Sequence, residues 1–218
     1  MRTRALLRTC AVLLWLSAPA WGATTALTGP GDFLGPTTVI DFDEQAHGTA
    51  ANTLYSALGV EFRYDTAGST VPIFDWAALS HTTTTAPNVL STVDGLNGSD
   101  FSETLDLIFS TTVTEVGAFF GNDQGLAALA FPVTLTVFDA AGVPLGSTVV
   151  TTNQNTAVDQ FIGIRSDDPI ARAQISYQSA AGDLSVTLDD VQFTFVPEPG
   201  SAALLALGLV GLAARKRA

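Results

Sequence analysis

Along most of the chain the apolar residues recur every second position. VTLTVFD, Val133 to Asp139, alternates Val133, Leu135 and Val137 with Thr134 and Thr136, the pattern of a half-buried antiparallel strand. The same reading predicts strands in TTVIDFD (Thr37–Asp43), GVEFRYD (Gly59–Asp65), TLDLIFS (Thr104–Ser110) and TEVGAFF (Thr114–Phe120). QFIGI (Gln160–Ile164), IARAQISY (Ile170–Tyr177) and LSVTLDDVQFTF (Leu184–Phe195) complete the set. In the last of these the apolar phase runs Val186, Leu188, then Val191, Phe193, Phe195, so it slips by one at Asp189-Asp190, which predicts a β-bulge. Asp139 to Gly142 reads as a turn, and only Ala50 to Leu58 and Gly125 to Ala130 admit short helices. The pattern predicts an all-β fold, an antiparallel two-sheet β-sandwich of jelly-roll type over residues 36–195. A loose Thr/Gly/Pro-rich lead-in is expected over residues 23–35.

Both ends break the pattern. Residues 1–22 read as a signal peptide: Arg2, Arg4 and Arg8 precede an apolar run from Cys10 to Leu16, and small residues allow a cut after Ala20 or Gly22. Cys10 leaves with the signal, so the mature body has no cysteine and must hold itself by its core. At the other end Pro197-Glu198-Pro199 keeps the backbone extended, because each ring fixes its own φ and restricts the residue before it. An uncharged run, Ser201 to Ala214, follows, then the basic stop Arg215, Lys216 and Arg217. As a helix that run spans roughly 21 Å, short of a bilayer core of roughly 30 Å, and snorkelling of the three cations makes up part of the deficit. Those cations stay cytoplasmic and leave everything upstream outside.

The Pro-Glu-Pro motif, the short Ala/Leu/Gly helix and the basic cluster, in that order over residues 196–218, resemble the PEP-CTERM sorting signal of Gram-negative bacteria. The resemblance implies an exported substrate of an exosortase, a membrane cysteine protease, in cells that make exopolysaccharide. It implies transient residence in the inner membrane through the tail, then the cell surface or extracellular matrix. IDFDE with Gly48, YSALGVEF, FIGI, IARAQI and TLDDVQF are similar to jelly-roll domains of PEP-CTERM proteins and, more distantly, to galactose-binding-like and carbohydrate-binding sandwiches.

Charge narrows the partners. Six of the nine Lys and Arg lie in the two end segments, leaving Arg63, Arg165 and Arg172 against twenty of the 21 acidic residues, a net of 17 negative charges on the body. Nucleic acid and anionic lipid are repelled, while cations and neutral polymers such as sugars remain.

Little in the body points to catalysis. It has no thiol, and its two histidines, His47 and His81, belong to no HExxH or closely spaced ligand set. A GxSxG elbow is absent too. The sequence therefore predicts a non-enzymatic protein. Two binding sites are expected. Trp76, with Asp75 and His81 nearby, offers an aromatic face and polar groups for a sugar. Asp41 and Asp43, two apart on a predicted strand, share a face; jelly rolls set their terminal strands side by side, so Asp189 and Asp190 converge with them. Clustered carboxylates repel unless a proton or cation intervenes, and calcium accepts such oxygen ligands. The competing role is a capped bulge, with Asp190 bonded to backbone amides and the other acids facing water.

Overall fold

A computed structural model describes residues 22–64, 69–75, 77, 82–91, 104–122, 130–153, 155, 157–177 and 186–196. Among them run ten strands: β1 (Thr24–Leu27), β2 (Thr38–Ile40), β3 (Val60–Tyr64), β4 (Ile73–Asp75), β5 (Asn88–Ser91), β6 (Leu105–Asn122), β7 (Pro132–Phe138), β8 (Pro144–Thr151), β9 (Val158–Tyr177) and β10 (Val186–Phe195). Every ladder between them is antiparallel. The all-β expectation holds. The expected pair of sheets is instead one hydrogen-bonded network in the order β4-β5-β10-β6-β9-β7-β8, with β1 added to β9, β2 to β10 and β3 to β6.

The network is continuous because four predicted strands are fused into two. TLDLIFS and TEVGAFF are both parts of β6, and QFIGI and IARAQISY are both parts of β9. Between Ile108↔Arg172 and Val113↔Ile170 the extra residues lie on β6; between Val113↔Ile170 and Glu115↔Arg165 they lie on β9. The two irregularities compensate, so both strands change course without ending. Pro169 falls in the looped-out stretch of β9, where its missing N–H costs no ladder bond. On one side of this bend β6 pairs with β3, and on the other with β10. The two limbs bury their apolar faces in one cluster, where Val133, Leu135 and Val137 of β7 join Phe120, Leu188 and Phe193. This arrangement is consistent with a β-sandwich.

The period-two reading of VTLTVFD is seen directly: exposure alternates residue by residue along β7. The lead-in is not loose throughout. Thr24–Leu27 forms β1, whose Thr25 stands opposite Arg165 of β9. β2 lies beside β10 at the opposite side of β6, with Ile40 opposite Val191. Residues 28–37, which join β1 to β2, must therefore cross the outside of β9, β6 and β10. Asp32 stiffens this crossing by accepting from the N–H (2.6 Å) and hydroxyl (2.8 Å) of Thr28. The helix expected from Ala50 to Leu58 is reduced to one 3-10 turn, Ser56–Leu58, and most of Gly125–Ala130 falls outside the described residues. The turn at Asp139–Gly142 forms as read, with Gly142 at φ 77° and Asp139 Oδ1 accepting from Ala141 and Val143. No helix among the described residues is long and apolar enough to cross a membrane; the signal segment up to Trp21 and the tail from Pro197 lie outside them.

Close strand approach fixes one glycine. A Cβ on Gly121 would lie 2.2 Å from the Ala157 carbonyl oxygen and 2.6 Å from Val158 Cα, backbone atoms that cannot swing aside. Gly121→Ala is expected to cost about 1–3 kcal/mol in denaturant unfolding. Gly29→Ala, whose Cβ meets nothing within 4 Å, is expected to stay within about 0.5 kcal/mol.

Candidate functional site

Where β2 runs out beside β10, the chain makes a sharp turn. Phe42 takes φ 64°, a left-handed conformation uncommon for a bulky residue. Its fully buried ring packs edge-on against Tyr55 and Phe62, at centroid distances of 5.6 and 5.9 Å. Those contacts hold the strained backbone in place. Asp41 and Asp43 therefore flank a turn rather than sharing the face of an extended strand, because β2 stops at Ile40. The Asp43 N–H donates to Asp41 Oδ1 at 3.3 Å, and the Asn88 N–H donates to Asp43 Oδ1 at 2.9 Å. Buried Asn88 braces the turn further, its amide donating to the Gln45 carbonyl at 2.8 Å.

The facing strand carries the bulge that the phase slip indicated. Asp189 pairs with Phe119 and Gln192 with Gly117, so Asp190 and Val191 together oppose Ala118. Asp190 sits at φ 45°. The side chain of Asp189 is fully buried, and backbone amides meet it: Asp190 N–H donates to Oδ1 at 2.8 Å and Thr85 N–H to Oδ2 at 2.9 Å. The Thr85 hydroxyl stands 3.2 Å from Asp189 Oδ1 and 3.3 Å from Asp190 Oδ1. Burial pushes the Asp189 carboxyl up to about 7; the charge of Asp190 adds to this, and the Thr85 and Asp190 amides oppose it. Burial also raises Asp190, with the charges of Asp41 and Asp43 contributing, and raises Asp41 in its turn. The four acids predicted to converge thus share one electrostatic neighbourhood. Among the described residues no group of three or more His, Cys, Asp or Glu side chains is arranged to hold a metal ion. The hydrogen bonds seen are those of a capped bulge, with Asp189 rather than Asp190 as the main acceptor.

Of the three residues proposed for sugar, Asp75 ends β4, while Trp76 and His81 lie outside the described residues. The imidazole recorded beside Asp75 is that of His47, whose Nδ1 accepts from the Asp75 N–H at 3.1 Å and whose ring stands 4.5 Å from that of Phe74.

The pattern missed a second polar constellation. Glu115 is 2% exposed and meets Arg165 Nε at 2.5 Å; Arg172 meets Asp106 at 2.8 Å and lies 3.8 Å over the ring of Phe138. Two of the body's three arginines are thus committed to cross-strand partners on β6. Their scarcity was the available signal. Which acid each would meet depended on register.

Residues 195–217 match the PEP-CTERM protein-sorting motif. This motif implies export, sorting to the cell surface and processing by an exosortase-type protease. No curated protein matches the chain. Among solved structures, an arabinose-bound MgGH51 α-L-arabinofuranosidase is 13% identical over 70% of this chain, with a TM-score of 0.46, and the match spans only 25% of that protein. A DUF4465 family protein from Bacteroides caccae is 12% identical, with a TM-score of 0.41, over 79% of this chain and 93% of that one. The CBM22-1 xylan-binding domain of Paenibacillus barcinonensis Xyn10C is 14% identical, with a TM-score of 0.36, over 73% and 93%. Overlaps this loose carry no weight for function.

The buried carboxyl of Asp189 has a consequence in solution. Its folded-state proton affinity, about 7, exceeds the ordinary value of 3.8 that the unfolded chain retains. Below about pH 4 both states hold the proton and there is no cost; as pH rises towards 7 the unfolded state ionises freely, and stability falls. Between pH 4 and pH 8 the unfolding free energy of the wild type should drop, relative to Asp189→Asn, by on the order of 3 kcal/mol. Parallel pH profiles in the two proteins would show that Asp189 is not the source.

Proposed function

We propose that this is a non-enzymatic surface or matrix protein whose jelly-roll body serves adhesion or scaffolding in an exopolysaccharide layer. The observation that carries the reading is the sorting motif at residues 195–217, placed directly after the last strand. β10 ends at Phe195, and Val196 is still tied to the sheet by its N–H to the Thr112 carbonyl at 3.1 Å. Pro197-Glu198-Pro199 therefore follows the folded body with no spacer, and a cut there leaves every ladder intact. The strong negative charge of the body fits a neutral or cation-bearing matrix and not an anionic partner. The runner-up reading is a specific carbohydrate-binding module, which a glycan array separates from general matrix adhesion. A secreted polysaccharide-active enzyme is the third, tested by turnover of a polysaccharide panel.

The sorting step is tested by intact mass. The secreted wild type is expected to lack Arg215 to Arg217, and Glu198→Ala to accumulate as an unprocessed precursor in the inner membrane. A secreted form that keeps the three basic residues overturns the reading. Structural calcium at Asp41, Asp43, Asp189 and Asp190 is tested on the same protein by melting it in millimolar calcium and in chelator. A bound ion at 100 times its dissociation constant would add about 2.7 kcal/mol. Equal melting temperatures would leave the hydrogen-bonded bulge as the whole account of these acids.

A further inference from the structure

We infer that the open cleft between the crossing segment and the outer side of β6, β9 and β10 binds one neutral sugar ring or a polyol of that size. The cleft is built on a row of three side chains that the ladders set abreast. Thr194 of β10 pairs with Glu115 of β6, and Glu115 pairs with Arg165 of β9. The next row, Phe193, Val116 and Ile164, belongs to the buried core. Successive side chains alternate between faces, so the polar row points away from the core. An outward row ordinarily meets water. Here Glu115 and Thr194 are only 2% and 4% exposed, because residues 28–37 cross above them.

The crossing is fastened to the row it covers. Glu115 accepts from the Leu34 N–H at 3.1 Å on both carboxylate oxygens, and the Arg165 guanidinium donates to the Asp32 carbonyl. Beside the crossing an open cleft of about 380 Å³ remains, lined among others by Leu34, Arg165, Asp167 and Thr194. That volume is at the small end of ligand sites, roughly 300–1,000 Å³, and suits a single ring.

The unused chemistry of the lining names the class of guest. Arg165 commits its Nε to Glu115 and one terminal nitrogen to Asp32, leaving three of its five N–H groups without an acceptor among the described residues. Arg165 and Asp167 both line the cleft, and the exposed carboxylate of Asp167 has no partner among the described residues. The Thr194 hydroxyl is buried without a hydrogen-bond partner among the described residues. Glu115 and Arg165 neutralise each other, so Asp167 leaves the lining with one net negative charge that disfavours an anion, while the spare guanidinium N–H groups beside it disfavour a cation. A neutral guest with adjacent hydroxyls does gain, donating to Asp167 while accepting from Arg165. Leu34, 81% exposed at the rim, supplies apolar surface for the C–H side of a ring. This site stands apart from Asp75, and its biological use rests on the matrix reading above.

The test uses the secreted mature protein and ligand-observed NMR with galactose, glucose, mannose, xylose and arabinose, and glucuronate as the anionic control. At least one neutral sugar should bind, and about tenfold more weakly to Asp167→Asn, whose exposed position leaves the melting temperature unchanged. Leu34→Ala should weaken the same sugar and not alter the ranking. Three results would each overturn the site: no neutral sugar bound at tens of millimolar, binding unchanged in both variants, or a preference for glucuronate. Retention of the wild type in the cells' own exopolysaccharide is scored separately. If wild type and Asp167→Asn are retained equally, the pocket is wrong and the matrix reading stands. If the wild type is not retained, the matrix reading fails whatever the sugars show.

Discussion

The structure depends on β6 and β9 staying paired through a bend. Each contributes one half to each limb of the sheet, so the limbs share their two longest strands and cannot separate without breaking a continuous ladder. The compensating shifts around Val113 and Ile170 are the hinge of this arrangement: residues looped out first on one strand and then on the other return the pair to register. The one cysteine of the chain, Cys10, lies outside the described body, and within that body this continuity takes the place of a cross-link between layers.

The same ladder explains two kinds of buried charge. On the outer side, Glu115 meets an arginine set directly opposite it by the β6–β9 register, so its negative charge has a partner. At the β10 bulge, Asp189 has no cation beside it among the described residues and is met by two backbone amides and a hydroxyl. A carboxylate held by dipoles alone keeps much of its desolvation cost, which is why its proton is held so tightly. Thr85 joins the two halves of this knot by reaching both Asp189 and Asp190.

The strands were legible where one face is buried and the other wet. Val133, Leu135 and Val137 announced β7 through their alternation. The phase slip at Asp189-Asp190 announced the bulge, because a change of face along one strand requires an unpaired residue. β5, buried at every position, and β8, an edge strand with no buried position, have no apolar alternation to read in their sequences. β1 hid in a Thr-rich stretch whose strand character comes only from its pairing with β9. The fusion of four segments into two strands was invisible because Ser110 to Thr112 and Arg165 to Pro169 look like connections when taken alone. The turn at Phe42 gave no warning either: an aromatic residue is an unlikely choice for positive φ, and the packing against Tyr55 and Phe62 that imposes it is known only from the fold. The convergence of the acids could be argued from topology, whereas the Glu115–Arg165 row needed the register itself.

The junctions at both ends of the body follow from the same sheet. Val196 is the last described residue, and its N–H donates to the Thr112 carbonyl, so Pro197-Glu198-Pro199 begins directly after the sheet. At the start, the Gly22 N–H donates to Asp168 Oδ2 at 2.7 Å, and Ala23 accepts from the Asp167 N–H at 3.1 Å. A cut after Ala20 keeps the Gly22 bond. A cut after Gly22 removes it but sets a new ammonium at Ala23, one residue from the lost donor, where the Asp168 carboxylate can meet the charge. Either route leaves β1 paired to β9 and the crossing fastened over Glu115 and Arg165. The cleft beside the crossing would therefore persist whichever of the two cuts were made.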